Sequence, residues 1–487
     1  MNRLPRIFSW AGLAIVLAAG TAFPASPPPR FQAGAATSNI TPPLGGAIIG
    51  NFLPIPSTHV HDELHARCLV LDDGKTRLAI VVCDLLGIGR NVSEEARKLV
   101  QQSTGLPAER VLICATHTHS ATSALGQDRV KADQPLEEYQ AFVARRIADG
   151  VRSACNYLRP AQLAFAKAEA PEHLFNRRWF LKPGTMPPNP FGGIDQVKMN
   201  PGAGSPELVK PAGPTDPVIS ILAVREPNGR PIAAFSAYSL HYVGGVGPGH
   251  ISADYYGMYC RRLERLWGQE HQDPPAVAMM ANGTSGDVNN INFLHPRPAQ
   301  GPYVQMRAVA DDVAAKIHKA IIEAQYRDNV TLGACYRELT VAGRQPTAEQ
   351  IQWAKKTLAD RPQKPGQGVD LPAIYADRVL RLAQASPENS VPLQVFRIGD
   401  VCIGTMPCEV FCEIGLEFKK RCARQPAFLV SLAHGYLGYL PTPQQHALGG
   451  YETWLGTCRL EPHASEKMLE VLLQMATETG QPVTPHL

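Results

Sequence analysis

Two histidines one residue apart stand where a strongly apolar run ends, in Val111-Leu-Ile-Cys-Ala-Thr-His-Thr-His-Ser120. Val111 to Ala115 reads as a buried strand, and in an extended backbone residues two apart face the same side. His117 and His119 would then project together, which suits a metal ion, or a metal ligand beside an acid/base. Such a pair also arises by chance, so the case rests on what else reaches the same place. Further donors follow other apolar runs: His241 after Ile232 to Ala237, Glu409 after Asp400 to Met406, and the loop His434-Gly-Tyr-Leu-Gly-Tyr-Leu-Pro-Thr442 after Phe428 to Leu432. Mixed nitrogen and oxygen donors suit zinc, whose catalytic sites keep one position for water. Spacing along the chain does not by itself separate one such centre from unrelated loop features.

The elements around these residues predict how they are brought together. Leu78 to Cys83 reads as a strand ending in Asp84, a helix starts at Asn91-Val-Ser-Glu94 with Asn91 as N-cap, and Gly105 stops it before the strand at Val111. A strand-helix-strand unit gives parallel strands with ligands gathered beyond their carboxyl ends. Asp84, His117 and His119 are therefore expected on one rim, with Asp84 either orienting a ligating imidazole or capping a helix. Hairpins are signalled around Asp72-Asp73-Gly74, Pro227-Asn228-Gly229 and Gly399. Helical periodicity covers Leu136 to Tyr157, Ser252 to Trp267, Tyr303 to Tyr326 and Ser465 to Thr479. These elements predict an α/β fold of layered mixed β-sheets flanked by helices, with the site at strand carboxyl ends. Phe175 to Pro214 is long and irregular, as expected of a wall or lid. Residues 346–385 read as a helical insertion, and the glycines of Asn282 to Asn290 serve a turn or a close approach to substrate.

Composition bounds the rest. The 487 residues carry a formal net charge of +4 with the charges well mixed, so no basic stripe is offered to nucleic acid. Length alone would allow two to four domains, no internal repeat is visible, and a single domain over 30–487 is expected. Arg3 and Arg6, then Ile7 to Ala19, then small residues through Ala25 match a signal peptide over 1–25, which implies a secreted or periplasmic protein. The eleven cysteines lack any Cys-x-x-Cys pair. Cys68, Cys83, Cys114 and Cys402 lie in apolar runs, as core residues do.

Several stretches, in this order, give the chain its resemblance to the neutral ceramidases, secreted zinc-dependent amidases: Val82-Cys-Asp84, Ala115-Thr-His-Thr-His-Ser120, Asn176-Arg177, the strand leading to His241, Gly286-Asp-Val288, Met406-Pro-Cys-Glu409, Tyr436-Leu-Gly-Tyr-Leu-Pro-Thr442 and Tyr451-Glu452. Carried over position by position, the resemblance implies Zn2+ held by His117, His241, Glu409 and Tyr439. It places His119 beside the metal as acid/base and Arg177 as the active-site arginine. Asn176, Asp287 and Asn289 would then face a small-molecule amide or lipid-like substrate, and peripheral membrane contact is implied. The expected reaction is hydrolysis of a linear amide by metal-activated water.

The departures bear on substrate. Asn289 stands where the family has serine, and Arg178 where it usually has serine. The family's carboxyl-terminal immunoglobulin-like domain is not expected here. Asparagine is no nucleophile but can hydrogen-bond a polar substrate, so a smaller or more polar amide than ceramide is as well matched. An esterase or lactonase would use the same centre, and an inactive lipid- or carbohydrate-binding module would keep only the scaffold. An amidohydrolase barrel, which also opens with His-x-His, would need eight strand-helix repeats, and the hairpins argue against it.

Overall fold

In a computed structural model, the described residues are 31–122, 124–126, 134–268, 272–361 and 368–479, together with Met1. The signal expected over 1–25 lies outside them, apart from Met1. Among the described residues no helix is long and apolar enough to cross a membrane.

Apolar strands, alternating with turn signals, assemble into three larger sheets. The first carries Gln32–Asn39, His65–Asp72, Arg77–Cys83 and Val111–Ala115 in spatial succession. The second carries Gln162–Glu169, Val218–Arg225, Pro231–Tyr238 and Val277–Asn282, and the third Leu332–Ala342, Glu388–Ile398, Val401–Thr405 and Ala427–Val430. In each, the first three strands run antiparallel and the fourth joins the third in parallel. A helix makes each parallel crossover: Arg90–Thr104, Asp254–Leu266 and Cys412–Arg421. The same module thus occurs three times, a repeat that sequence inspection does not reveal. The repeat lies in strand order and pairing, which tolerate any apolar side chains of suitable size.

The three sheets turn one face inward onto a shared core, including Leu69, Ile80, Leu112, Leu222, Phe235, Met279, Phe396, Ile403 and Phe428. Their outer faces are covered by helices. Arg90–Thr104 and Glu138–Asn156 cover the first, Asp254–Leu266 and Val304–Glu323 the second, and Cys412–Arg421 and Ala464–Glu478 the third. Buried on both faces, inner strands such as His65–Asp72, Val218–Arg225, Pro231–Tyr238 and Val401–Thr405 read as near-continuous apolar runs, while the edge strands Gln162–Glu169 and Leu332–Ala342 are partly exposed. The eleven cysteines are all free thiols, and Cys68, Cys83, Cys114 and Cys402 are fully buried core residues.

Three expectations shift. The helix expected from Asn91 begins at Arg90 with Gly89 as N-cap, and the Asn91 side chain accepts only the neighbouring Val92 N–H at 2.9 Å. Phe175 to Pro214 is not wholly irregular: Arg178–Leu181, Val197–Met199 and Leu208–Pro211 form a small antiparallel sheet. Within 346–385 the helices are Ala348–Asp360 and Leu371–Leu382, with 362–367 outside the described residues. They pack on the segment just after the Tyr451–Thr453 turn through Ala354, Ala376 and Val379 against Leu455, with the Tyr375 ring 5.2 Å from that of Trp454.

Candidate metal centre

Each module sends polar residues off the end of one strand of its parallel pair to the same rim. His117 follows Val111–Ala115, His241 follows Pro231–Tyr238, and Glu409 follows Val401–Thr405. His117 and His119 do not share a face by strand alternation as expected. His117 has φ 73°, a left-handed conformation uncommon for a residue with a Cβ. Its N–H donates to the Leu85 carbonyl at 2.9 Å, which helps hold the turn. The turn brings His119 Nε2 to 3.1 Å from His117 Nε2.

The other donors close around this pair. Glu409 Oε2 lies 3.2 Å from His117 Nε2 and 3.7 Å from His241 Nε2. One nitrogen from each of His117, His119 and His241 falls within a 4.8 Å group. Tyr439 arrives by a different device: Glu409–Val410 pairs in parallel with Tyr439–Leu440, with Glu409 in register with Tyr439. In-register residues of parallel strands lie side by side, so after 29 intervening residues the chain returns to Glu409. Gly286 allows the Thr284–Val288 turn to close on this pair, since a Cβ there would meet the Glu409 carbonyl oxygen at 2.5 Å.

The orientation of the imidazoles is fixed from behind by carbonyls. His117 Nδ1 sits 2.6 Å from the Leu86 oxygen, and His241 Nδ1 lies 3.0 Å from the Ser285 oxygen. Both Nδ1 atoms therefore act as donors, leaving Nε2 as the lone-pair nitrogen that a metal needs. Asp84 does not take this role. Its carboxylate is turned to the buried Arg67 guanidinium and accepts the His65 N–H at 2.9 Å.

Electrostatics fit a cation. Burial lowers the His119 and His241 pKa values well below the usual range, reinforced by neighbouring imidazoles and Arg177, so both imidazoles are neutral at pH 7. Burial alone would raise the Glu409 pKa, but His117, His241 and the Tyr436 hydroxyl, which donates to Oε1 at 2.7 Å, hold it well below the carboxylate range. His241 Nε2 and Glu409 Oε2 are fully buried and hydrogen-bond to nothing among the described residues. Two buried lone-pair atoms aimed at one spot are costly unless something positive sits between them, and the set matches the nitrogen and oxygen chemistry of zinc.

Arg177 reaches the same place from the small sheet. Its guanidinium carbon lies 5.3 Å from the Tyr439 ring centroid, Nε donates to Glu452 Oε1 at 2.9 Å and an Nη to the Gly286 carbonyl at 2.7 Å. Arg178 is fully buried and donates to the other Glu452 oxygen at 2.7 Å. Asn176, Asp287 and Asn289 have partners within the protein. Asp287 accepts from Asn176 Nδ2 and the Cys412 N–H, each at 2.8 Å. The Asn289 side chain donates to Asn200 at 2.6 Å and accepts from the Ile291 N–H at 2.9 Å. These bonds brace the loops behind Arg177.

Sequence reading missed Glu452 as the shared partner of two arginines, Tyr436 as the donor to Glu409, and Tyr242, whose ring stacks on His119. Tyr436 and Glu452 lay within the quoted motifs, but nothing in their spacing named a partner. A cleft of about 930 Å³ lies beside Gln162–Glu169 and contains none of the site residues.

The chain has a neutral ceramidase-like mixed α/β fold. It superposes on the crystal structure of neutral ceramidase from Pseudomonas aeruginosa with a TM-score of 0.67 at 17% identity, over 93% of this chain and 75% of that one. A ceramidase structure complexed with C2 gives 0.66 at 17% identity, over 94% and 77%. No family model matches the sequence, and no curated protein matches it.

Proposed function

We propose that this protein is an exported zinc-dependent hydrolase that cleaves the carbon-nitrogen bond of a linear amide. The observation that carries the reading is the convergence of His117 Nε2, unpartnered His241 Nε2 and unpartnered Glu409 Oε2 at the rim of a neutral ceramidase-like fold. His117, His241, Glu409 and Tyr439 would hold the metal. Zinc, when bound, supplies Lewis-acid chemistry that makes water a competent nucleophile at neutral pH.

The chain's own residues supply the rest. His119, kept neutral by burial, takes up a proton and returns it to the leaving nitrogen, without which an amine does not depart. Arg177 brings a permanent positive charge beside Tyr439, where it stabilises negative charge developing on the carbonyl oxygen. Asn289 offers no nucleophile, which favours attack by water. With the family's serine absent and Arg178 filling buried space, the substrate is better matched by a smaller or more polar N-acyl amide than by ceramide itself.

The test is a screen of N-acyl amides with zinc-loaded protein, run beside His119→Ala. The variant is expected to keep its zinc while kcat falls about 10²- to 10⁴-fold, the usual worth of a placed acid/base. Zinc-bound protein that hydrolyses no amide would leave the binding-module reading in its place.

Access from a lipid surface is supported by the loop before His61. Residues 44–60 carry no Asp, Glu, Lys or Arg. They expose Leu44, Phe52, Leu53 and Ile55. The loop adjoins the site, because the Gly50 backbone abuts His119 and the Phe52 ring lies 5.9 Å from that of Tyr451. Apolar side chains on a site rim suit shallow insertion among lipids. Phe52→Asp with Leu53→Asp is expected to weaken sedimentation with phosphatidylcholine vesicles by about tenfold or more, and equal sedimentation would remove membrane contact from the proposal.

A further inference from the structure

We infer that Tyr242 is a positioning residue for His119, an inference that rests on the reading of His119 as the group that protonates the leaving nitrogen. The two rings are stacked, with centroids 3.7 Å apart and planes 19° from parallel. A histidine at a solvent-facing rim otherwise has several staggered side-chain orientations open to it, and only some point Nε2 at the cluster. The observed one, with Nε2 3.1 Å from His117 Nε2, needs the ring plane held.

The surroundings of Tyr242 are built to hold it. Gly244 packs on the tyrosine ring so closely that a Cβ there would come to 3.2 Å from Cε2, and its φ of 76° is one that glycine adopts without strain. The N–H groups of Val243 and Gly244 both donate to the buried Asp254 carboxylate at 2.9 Å, and the Val243 carbonyl accepts from Asn290 Nδ2 at 3.0 Å. Asp254 holds this clamp at φ 56°, a strained conformation for a residue with a Cβ. The Gly50 backbone also presses on His119, where a Cβ would fall 2.4 Å from that of the histidine. His119 is thus fixed by a backbone contact and by an aromatic face that is itself anchored. Tyr242 need not touch substrate to matter, because a displacement of about 1 Å in a proton-transfer group can cost about 10²-fold in rate.

Three variants separate positioning from mere filling of space. Tyr242→Phe keeps the flat face, Tyr242→Leu keeps apolar bulk without it, and Tyr242→Ala removes both. Each is compared with wild type for kcat, KM and zinc per chain on the best amide found, and for the His119 ring position in crystals. We expect Tyr242→Phe to stay within about threefold of wild type, and Tyr242→Leu and Tyr242→Ala to lose about 10- to 100-fold in kcat with KM and zinc little changed. In crystals of the latter two, His119 should leave its orientation toward His117. The inference is overturned if Tyr242→Leu retains kcat, if the loss appears only in KM or zinc content, or if His119 keeps its place. Were wild type to hydrolyse no amide, the functional reading would fail while the crystallographic result still decided whether Tyr242 positions His119.

Discussion

His117→Ala is expected to reduce bound zinc from about one per chain to a small fraction and to abolish hydrolysis. His117 is the hub of the cluster: its Nε2 lies 3.1 Å from His119 Nε2 and 3.2 Å from Glu409 Oε2. Its loss removes one donor and also one of the groups that hold the Glu409 pKa down. The contrast with His119→Ala is the informative part, since that variant should lose turnover and retain metal. Elemental analysis after dialysis, with thermal unfolding as a check on folding, reads both. Full zinc retention in His117→Ala would sink the proposed centre.

Glu452→Ala carries the second large effect, this time on stability. Its two oxygens neutralise Arg177 and Arg178, and all three side chains are buried. Removing the carboxylate leaves two cations without their shared counter-ion in a dry site, an arrangement that costs about 3–5 kcal/mol when a buried pair is broken. Urea unfolding should show a lower midpoint, and activity should fall with it as Arg177 loses its anchor beside Tyr439. Glu452→Gln, which keeps the shape and some hydrogen bonding, should lie between. An unchanged midpoint in Glu452→Ala would mean that solvent reaches the arginines and that the triad does not brace the site.

These two sites differ in how much the sequence disclosed. The hairpins around Asp72-Asp73-Gly74, Pro227-Asn228-Gly229 and Gly399 follow from local turn chemistry, and the strands between them from uninterrupted apolar runs, so both were legible from neighbouring residues alone. The histidine pair was legible as a pair, but the left-handed turn at His117 was not. That turn depends on a hydrogen bond to Leu85, more than thirty residues earlier in the chain.

Amino-acid order by itself determined where each polar donor leaves a strand, because apolar period and turn residues act over a few positions. It also supplied the motif resemblance that pointed to a ceramidase-like fold. Only the tertiary structure decided that three sheets repeat one topology around a common core, that Leu86 and Ser285 rather than Asp84 orient the imidazoles, and that one glutamate serves two arginines. Those outcomes turn on contacts between residues up to 275 positions apart. Their energies depend on burial and mutual distance, and neither quantity exists until the chain has closed on itself.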